Sequence, residues 1–227
     1  MGELNRLPAD ELKQQSMLTF REYIEALPLL HCWGDPPSYW NTGGFNKEIF
    51  EALHNFLILH APKNPRIIET GAGNSTIFFL FHCPSKLISI DPWQDVYNRI
   101  ETYCIEQHID QSPLDFRLAK SQYVLPKLAE HEPASFDFAL IDGNHGWPAV
   151  MVDFCYMLAL LRPGGLLMID DIKLYSVKEL TRLLEAQPGF SMQLDLGKAR
   201  VYRKDFNSDS MPEWDLQPYI VKRTDAE

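Results

Sequence analysis

From residue 66 onward the chain alternates short apolar runs with helix-like stretches, and this alternation restricts the fold more than any other feature of the sequence. Runs of strand character occupy 66–69, 86–90, 115–118, 136–141 and 166–170, separated or followed by helix-like segments near 75–82, 94–108, 121–130, 147–161 and 175–186. Strands joined through helices pair in parallel by crossover, so the pattern predicts an α/β fold, a doubly wound and mostly parallel sheet of Rossmann-like type. Two later runs, 190–194 and 199–203, flank a short turn at Gly197 and Lys198 and predict a closing antiparallel hairpin.

Ahead of this block, Leu12, Met17, Phe20, Ile24 and Leu27 recur at helical spacing and predict an N-terminal helix over 9–27, with Asp10 as cap and Pro28 as stop. The stretch 31–45, HCWGDPPSYWNTGGF, is rich in Gly, Pro and aromatic residues and reads as an irregular loop, either a lid or a packed connection. Asn46 caps a second helix that runs to about His60. At 227 residues the chain accommodates one α/β domain with an N-terminal extension.

A formal net charge of −10 without any basic run argues against nucleic acid as a partner, because phosphate binding needs clustered Lys and Arg. No apolar stretch approaches the roughly 20 residues that span a bilayer, and the first residues lack a hydrophobic signal core. Cys32, Cys83, Cys104 and Cys155 show neither CxxC pairing nor metal-type spacing, which fits free thiols in a reducing compartment. The expectation is a cytoplasmic protein acting on a small molecule, with no membrane partner and a homo-oligomer left open.

The first chemical signal is IIETGAGNST over 67–76, an apolar strand meeting a glycine turn that opens a helix. Gly71 and Gly73 let the backbone turn sharply and approach a ligand without a Cβ in the way. Glu69 ends the strand beside that turn, where a carboxylate can accept a hydrogen bond from the ammonium group of a methionine moiety. A dinucleotide fingerprint would require Gly or Ala three residues after Gly73, and Thr76 stands there instead. Asp91 closes the next strand 18 residues after Gly73, where an acidic side chain holds ribose hydroxyls. Ser121 and Gln122 start the helix after the third strand, at the edge of the same crevice, with Ser121 also a candidate helix cap.

The stretches ETGAGNST, ISID and LAKSQYVLPKL resemble successive cofactor motifs of class I methyltransferases that use S-adenosylmethionine (SAM). The resemblance implies SAM as cofactor, with Glu69, Gly71, Gly73, Asp91, Ser121 and Gln122 around it and residues at Ser121 and Gln122 near the adenine. It covers 66 to about 171, and the order of elements divides the chain into N-terminal helices and loop over 1–60, a SAM-binding domain over 61–205, and a polar tail over 206–227 that carries Trp214 and Tyr219.

The second signal lies in 136–171. Two strands deliver Asp142, and then Asp170 and Asp171, at their carboxyl ends, where open parallel sheets bind ligands. Converging carboxylates repel one another unless a proton or a cation neutralises them, and an all-oxygen donor set suits Mg²⁺, Mn²⁺ or Ca²⁺ rather than zinc. This stretch resembles metal-dependent O-methyltransferases of the catechol type and of the sugar and macrolide type. The resemblance implies magnesium on Asp142, Asp170 and Asp171. It also implies a catalytic histidine at His145, since the sugar and macrolide enzymes carry that base three residues after the first ligand. Asp153 in the following helix reads as a solvated or structural residue, Arg162 to Gly164 as a helix exit and turn, and the other six histidines carry no assigned role.

The leading expectation is magnesium-assisted O-methylation of a small hydroxylated molecule such as a sugar, polyketide or catechol. Two alternatives stay open at this point: an NAD-dependent or hydroxylase-type oxidoreductase on a Rossmann-like fold, and a non-catalytic SAM-binding protein.

Overall fold

A computed structural model describes residues 18–41, 43–207, 211 and 213–218. Helix α1 (Phe20–Glu25) leads into a small hairpin, β1 (His31–Trp33) and β2 (Ser38–Trp40), and then into α2 (Lys47–His60). The alternating block follows as β3 (Arg66–Thr70), α3 (Asn74–Leu80), β4 (Lys86–Asp91), α4 (Gln94–Glu106), β5 (Leu114–Leu118) and α5 (Ser121–His131). It continues through β6 (Phe136–Ile141), α6 (Ala149–Leu160), β7 (Leu161–Ile169) and α7 (Tyr175–Ala186), and closes with β8 (Phe190–Asp195) and β9 (Arg200–Lys204).

The main sheet has the order β5-β4-β3-β6-β7-β9-β8, with the first five strands parallel and β9 and β8 antiparallel. Strand β3 sits at the switch point, since the chain winds outward to β4 and β5 on one side and to β6 and β7 on the other. Period-2 alternation explains the unbroken apolar runs, because both faces of each central strand are covered. Ile67, Leu140 and Met168 pack toward α1 to α4, whereas Ile68, Ile141 and Ile169 pack toward α5 to α7. Among the described residues, no helix is long and apolar enough to cross a membrane.

Several local expectations change. The 31–45 stretch is not irregular throughout: His31, Cys32 and Trp33 pair with Trp40, Tyr39 and Ser38, and the His31 and Trp40 rings stack at 5.1 Å. Cross-strand ring contacts of this kind stabilise even a very short hairpin. Helix α1 is capped at Thr19, whose hydroxyl accepts from Glu22 N while the Glu22 carboxylate accepts from Thr19 N. Asp10 and the first part of the expected 9–27 helix lie outside the described residues, as does Tyr219. Ser121 is the first residue of α5 rather than its cap, which is Lys120 without a side-chain bond. The Arg162 to Gly164 turn lies inside β7 as an irregularity opposite Phe136 and Phe138, so that strand begins earlier than expected. In the tail, Trp214–Leu216 forms a single 3₁₀ turn.

Candidate active site

Three residues just past the strand ends extend the sheet ladder and thereby form a row. Gly71 N donates to Ile90 O, Asp142 N to Thr70 O, and Asp170 N to Ile141 O, each at 3.0 Å. Gly71 and Asp142 of this row border a cavity of about 590 Å³ at the carboxyl edge of the sheet, and Asp170 lies buried behind it. Gly71, Gly73, Asp91, Ser121 and Gln122 line one part of it, and Asp142, His145 and Asp171 another.

At the glycine turn, Gly71 has φ +82°, and a Cβ there would stand 2.2 Å from the Asp142 carbonyl oxygen. Glycine is required both for the left-handed backbone and for the contact that joins the two halves of the site. Asp91 is largely buried, and its two oxygens accept from Trp93 N at 2.8 Å and Ala72 N at 3.2 Å. Burial raises its pKa while these backbone bonds oppose the rise. Its carboxylate is thus fixed in position and still borders the cavity.

Glu69 does not line the cavity. It is fully buried, and its oxygens accept from the Ser75 hydroxyl at 2.7 Å and the Thr76 hydroxyl at 2.5 Å. Thr76 Oγ1 also accepts from Gly73 N at 3.2 Å. Thr76 stands where a dinucleotide fingerprint would place Gly or Ala, and its hydroxyl ties the turn to the strand end. Burial pushes the Glu69 carboxyl up to about 7 against the lowering effect of these hydroxyls.

In the acidic part, ligand atoms of Asp142, His145 and Asp170 all lie within 4.8 Å of one another. His145 Nε2 is 3.6 Å from Asp142 Oδ1 and 3.4 Å from Asp171 Oδ2, so two carboxylates flank the imidazole. Asp171 adopts φ +51° two residues past the end of β7, a left-handed turn that Asp tolerates better than most residues. Asp170 is fully buried, and neither of its oxygens has a well-directed hydrogen bond, although Lys198 Nζ forms an ion pair with Oδ2 at 2.8 Å. Burial, followed by the neighbouring Asp142, pushes the Asp170 carboxyl up to about 8. Buried carboxylate oxygens without well-directed donors, beside an imidazole, suit a hard divalent cation.

Three contributors carried no expected role. His31 lines the cavity, and a Cβ on Gly73 would stand 3.2 Å from its Nε2. Trp40 stacks on it. Lys198, read only as part of a turn, reaches Asp170 and Asp171. Asp153 is not solvated: it is fully buried on α6, where burial raises its pKa and the Ser121 and Thr70 hydroxyls oppose the rise. No local spacing marks these residues, since each reaches the site through tertiary packing.

A mostly parallel sheet ending in an antiparallel pair, with a glycine turn and an aspartate at its carboxyl edge, defines the class I methyltransferase fold. Residues 68–172, a little under half of the chain, match the family model described as a methyltransferase domain. The O-methyltransferase TomG from Streptomyces achromogenes, involved in tomaymycin synthesis and solved with SAM, is 17% identical. It superposes with a TM-score of 0.60 over 72% of this chain and 82% of that one. An O-methyltransferase from Bacillus cereus, solved with SAH, is 15% identical with a TM-score of 0.59 over 73% and 84%. MycE from the mycinamycin biosynthetic pathway, solved with Mg and SAH, is 16% identical with a TM-score of 0.52 over 72% of this chain and 52% of that one. At these identities the likeness concerns the fold. No curated protein matches the chain significantly.

Proposed function

We propose that this protein transfers the methyl group of SAM to a hydroxyl oxygen of a small acceptor, with Mg²⁺ held by Asp142, Asp170 and Asp171 and with His145 as general base. The observation that carries this reading is the single cavity bordered by both the cofactor turn and the carboxylate–imidazole cluster, joined where Gly71 packs on the Asp142 carbonyl. The Mg-bound MycE structure and the SAM- and SAH-bound neighbours support the same pairing of cofactor and metal.

Asp91 holds the ribose, Ser121 and Gln122 border the adenine, and Gly71 and Gly73 let the backbone approach the methionine end. Glu69 shapes the turn from behind through Ser75 and Thr76. Bound SAM supplies an electrophilic methyl carbon, and a bound divalent ion supplies Lewis acidity that lowers the pKa of a coordinated hydroxyl. His145 Nε2 takes the released proton, and the flanking Asp142 and Asp171 carboxylates stabilise the imidazolium that results. Fixing both reactants in one cavity supplies much of the acceleration, since methyl transfer in line needs alignment more than covalent assistance. The free cysteines and the absence of a basic patch in the sequence support a cytoplasmic enzyme acting on small molecules.

The test is a thermal-shift matrix of SAM and SAH, each with Mg²⁺ or EDTA, on the wild type and on Asp142→Ala. Cofactor stabilisation is expected to survive the substitution while the magnesium-dependent increment disappears. Stabilisation by NADH but not by SAM or SAH overturns the reading. So does failure to methylate any catechol, sugar or polyketide hydroxyl with magnesium present.

A further inference from the structure

Lys198 lies in the turn that joins β8 to β9. Gly197, at φ +78°, donates its N–H to Asp195 Oδ1 at 2.8 Å, and Ile172 N donates to the Lys198 carbonyl at 2.9 Å. These bonds fix the backbone of the turn beside the segment that follows Asp171. From there the ammonium stands 2.8 Å from Asp170 Oδ2 and 3.5 Å from Asp171 Oδ1. It also donates to the Gly43 carbonyl and lies 4.9 Å from the centre of the Phe45 ring. One cation therefore ties the acidic cluster to the 43–45 segment, which itself lines the cavity.

A divalent ion held by Asp142, Asp170 and Asp171 would compete for the carboxylates that Lys198 engages. Two cations on one buried carboxylate repel each other strongly at such separations. We propose that Lys198 is a built-in competitor of the divalent ion: its ammonium neutralises Asp170 and Asp171 until the ion displaces it, and displacement releases the Gly43 carbonyl and loosens 43–45. This inference rests on the metal-binding reading of the site. It adds that ion binding is weakened by an internal cation and is coupled to the segment over the cavity.

Mn²⁺ serves as the probe, with its affinity measured by calorimetry in the presence of SAH for the wild type, Lys198→Gln and Lys198→Arg. Lys198→Gln is expected to bind Mn²⁺ about tenfold more tightly, and Lys198→Arg, which keeps the charge, within about twofold of the wild type. Hydrogen exchange on the wild-type protein needs no variant: Mn²⁺ is expected to accelerate exchange of the 43–45 amides. Unchanged or weaker binding by a folded Lys198→Gln, as judged by its SAH affinity, overturns the competition while leaving the metal site standing. Exchange at 43–45 that ignores Mn²⁺ binding to the wild type overturns the coupling. Absence of Mn²⁺ binding from both the wild type and Lys198→Gln overturns this inference together with the metal-binding reading.

Discussion

Glu69 illustrates how one buried carboxyl shapes the glycine turn and the pH response of the whole chain. Its pKa rises from an ordinary 4.5 to about 7 because it is buried, with the Thr76 and Ser75 hydroxyls restraining the rise. As pH increases, the unfolded chain releases this proton first, so the folded state holds the larger number of protons between those two values. The contribution is fully present below 4.5 and is lost as the pH rises through about 7, a decline of ~3 kcal/mol over that window. Glu69→Gln keeps a side chain that can bond to both hydroxyls and has no proton to lose. Its stability by urea denaturation should therefore gain ~3 kcal/mol on the wild type between acidic and neutral pH. Parallel stability curves for the two proteins would refute this. Asp142 and Asp170 were recognisable in the sequence because strand-end positions can be counted along the chain, and His145 through the family resemblance. Lys198 was not, since its partner Gly43 lies 155 residues away and no spacing rule spans such a distance.

At the scale of elements, the parallel strands were legible because fully covered strands are continuous apolar runs and several of their helices are amphipathic. The β1–β2 hairpin was not, because each strand is only three residues long and its Gly and Pro content resembles a loop. The junction between α6 and β7 hides a further dependence. Lys204 on β9 is almost fully buried, and its ammonium donates to the carbonyls of Leu158 and Leu161 at 2.8 and 2.9 Å. A cation thus satisfies carbonyls that the helix end leaves without intrahelical donors, and it also complements the negative end of the helix dipole. Lys204→Met preserves the apolar stem but strands both carbonyls away from water. A destabilisation of about 2–4 kcal/mol is expected in chemical denaturation, with SAH affinity nearly unchanged because the junction lies outside the cavity lining. A loss below about 0.5 kcal/mol would show that water replaces the ammonium and that Lys204 is dispensable.

For the whole molecule, the N-terminal segment and the sheet form one packed body. Residues of α1 and α2 share a core cluster with α3 and the central strands. The fully buried Tyr23 donates its hydroxyl to Asn74 O at 2.7 Å, at the start of α3 directly after the glycine turn. His31 packs on Gly73, and the Arg99 guanidinium lies 5.5 Å from the centre of the Tyr39 ring, so the hairpin is attached to both α3 and α4. A ligand that binds only the folded state at a hundredfold excess over its Kd contributes about 2.7 kcal/mol. For a chain of this size that corresponds to a rise in Tm of roughly 5–10 °C. Because the hairpin shares packing with the turn, saturating SAH should slow hydrogen exchange over 28–45 together with 71–76. Protection confined to 71–76 would mean that the N-terminal segment only covers the sheet and takes no part in holding the cofactor.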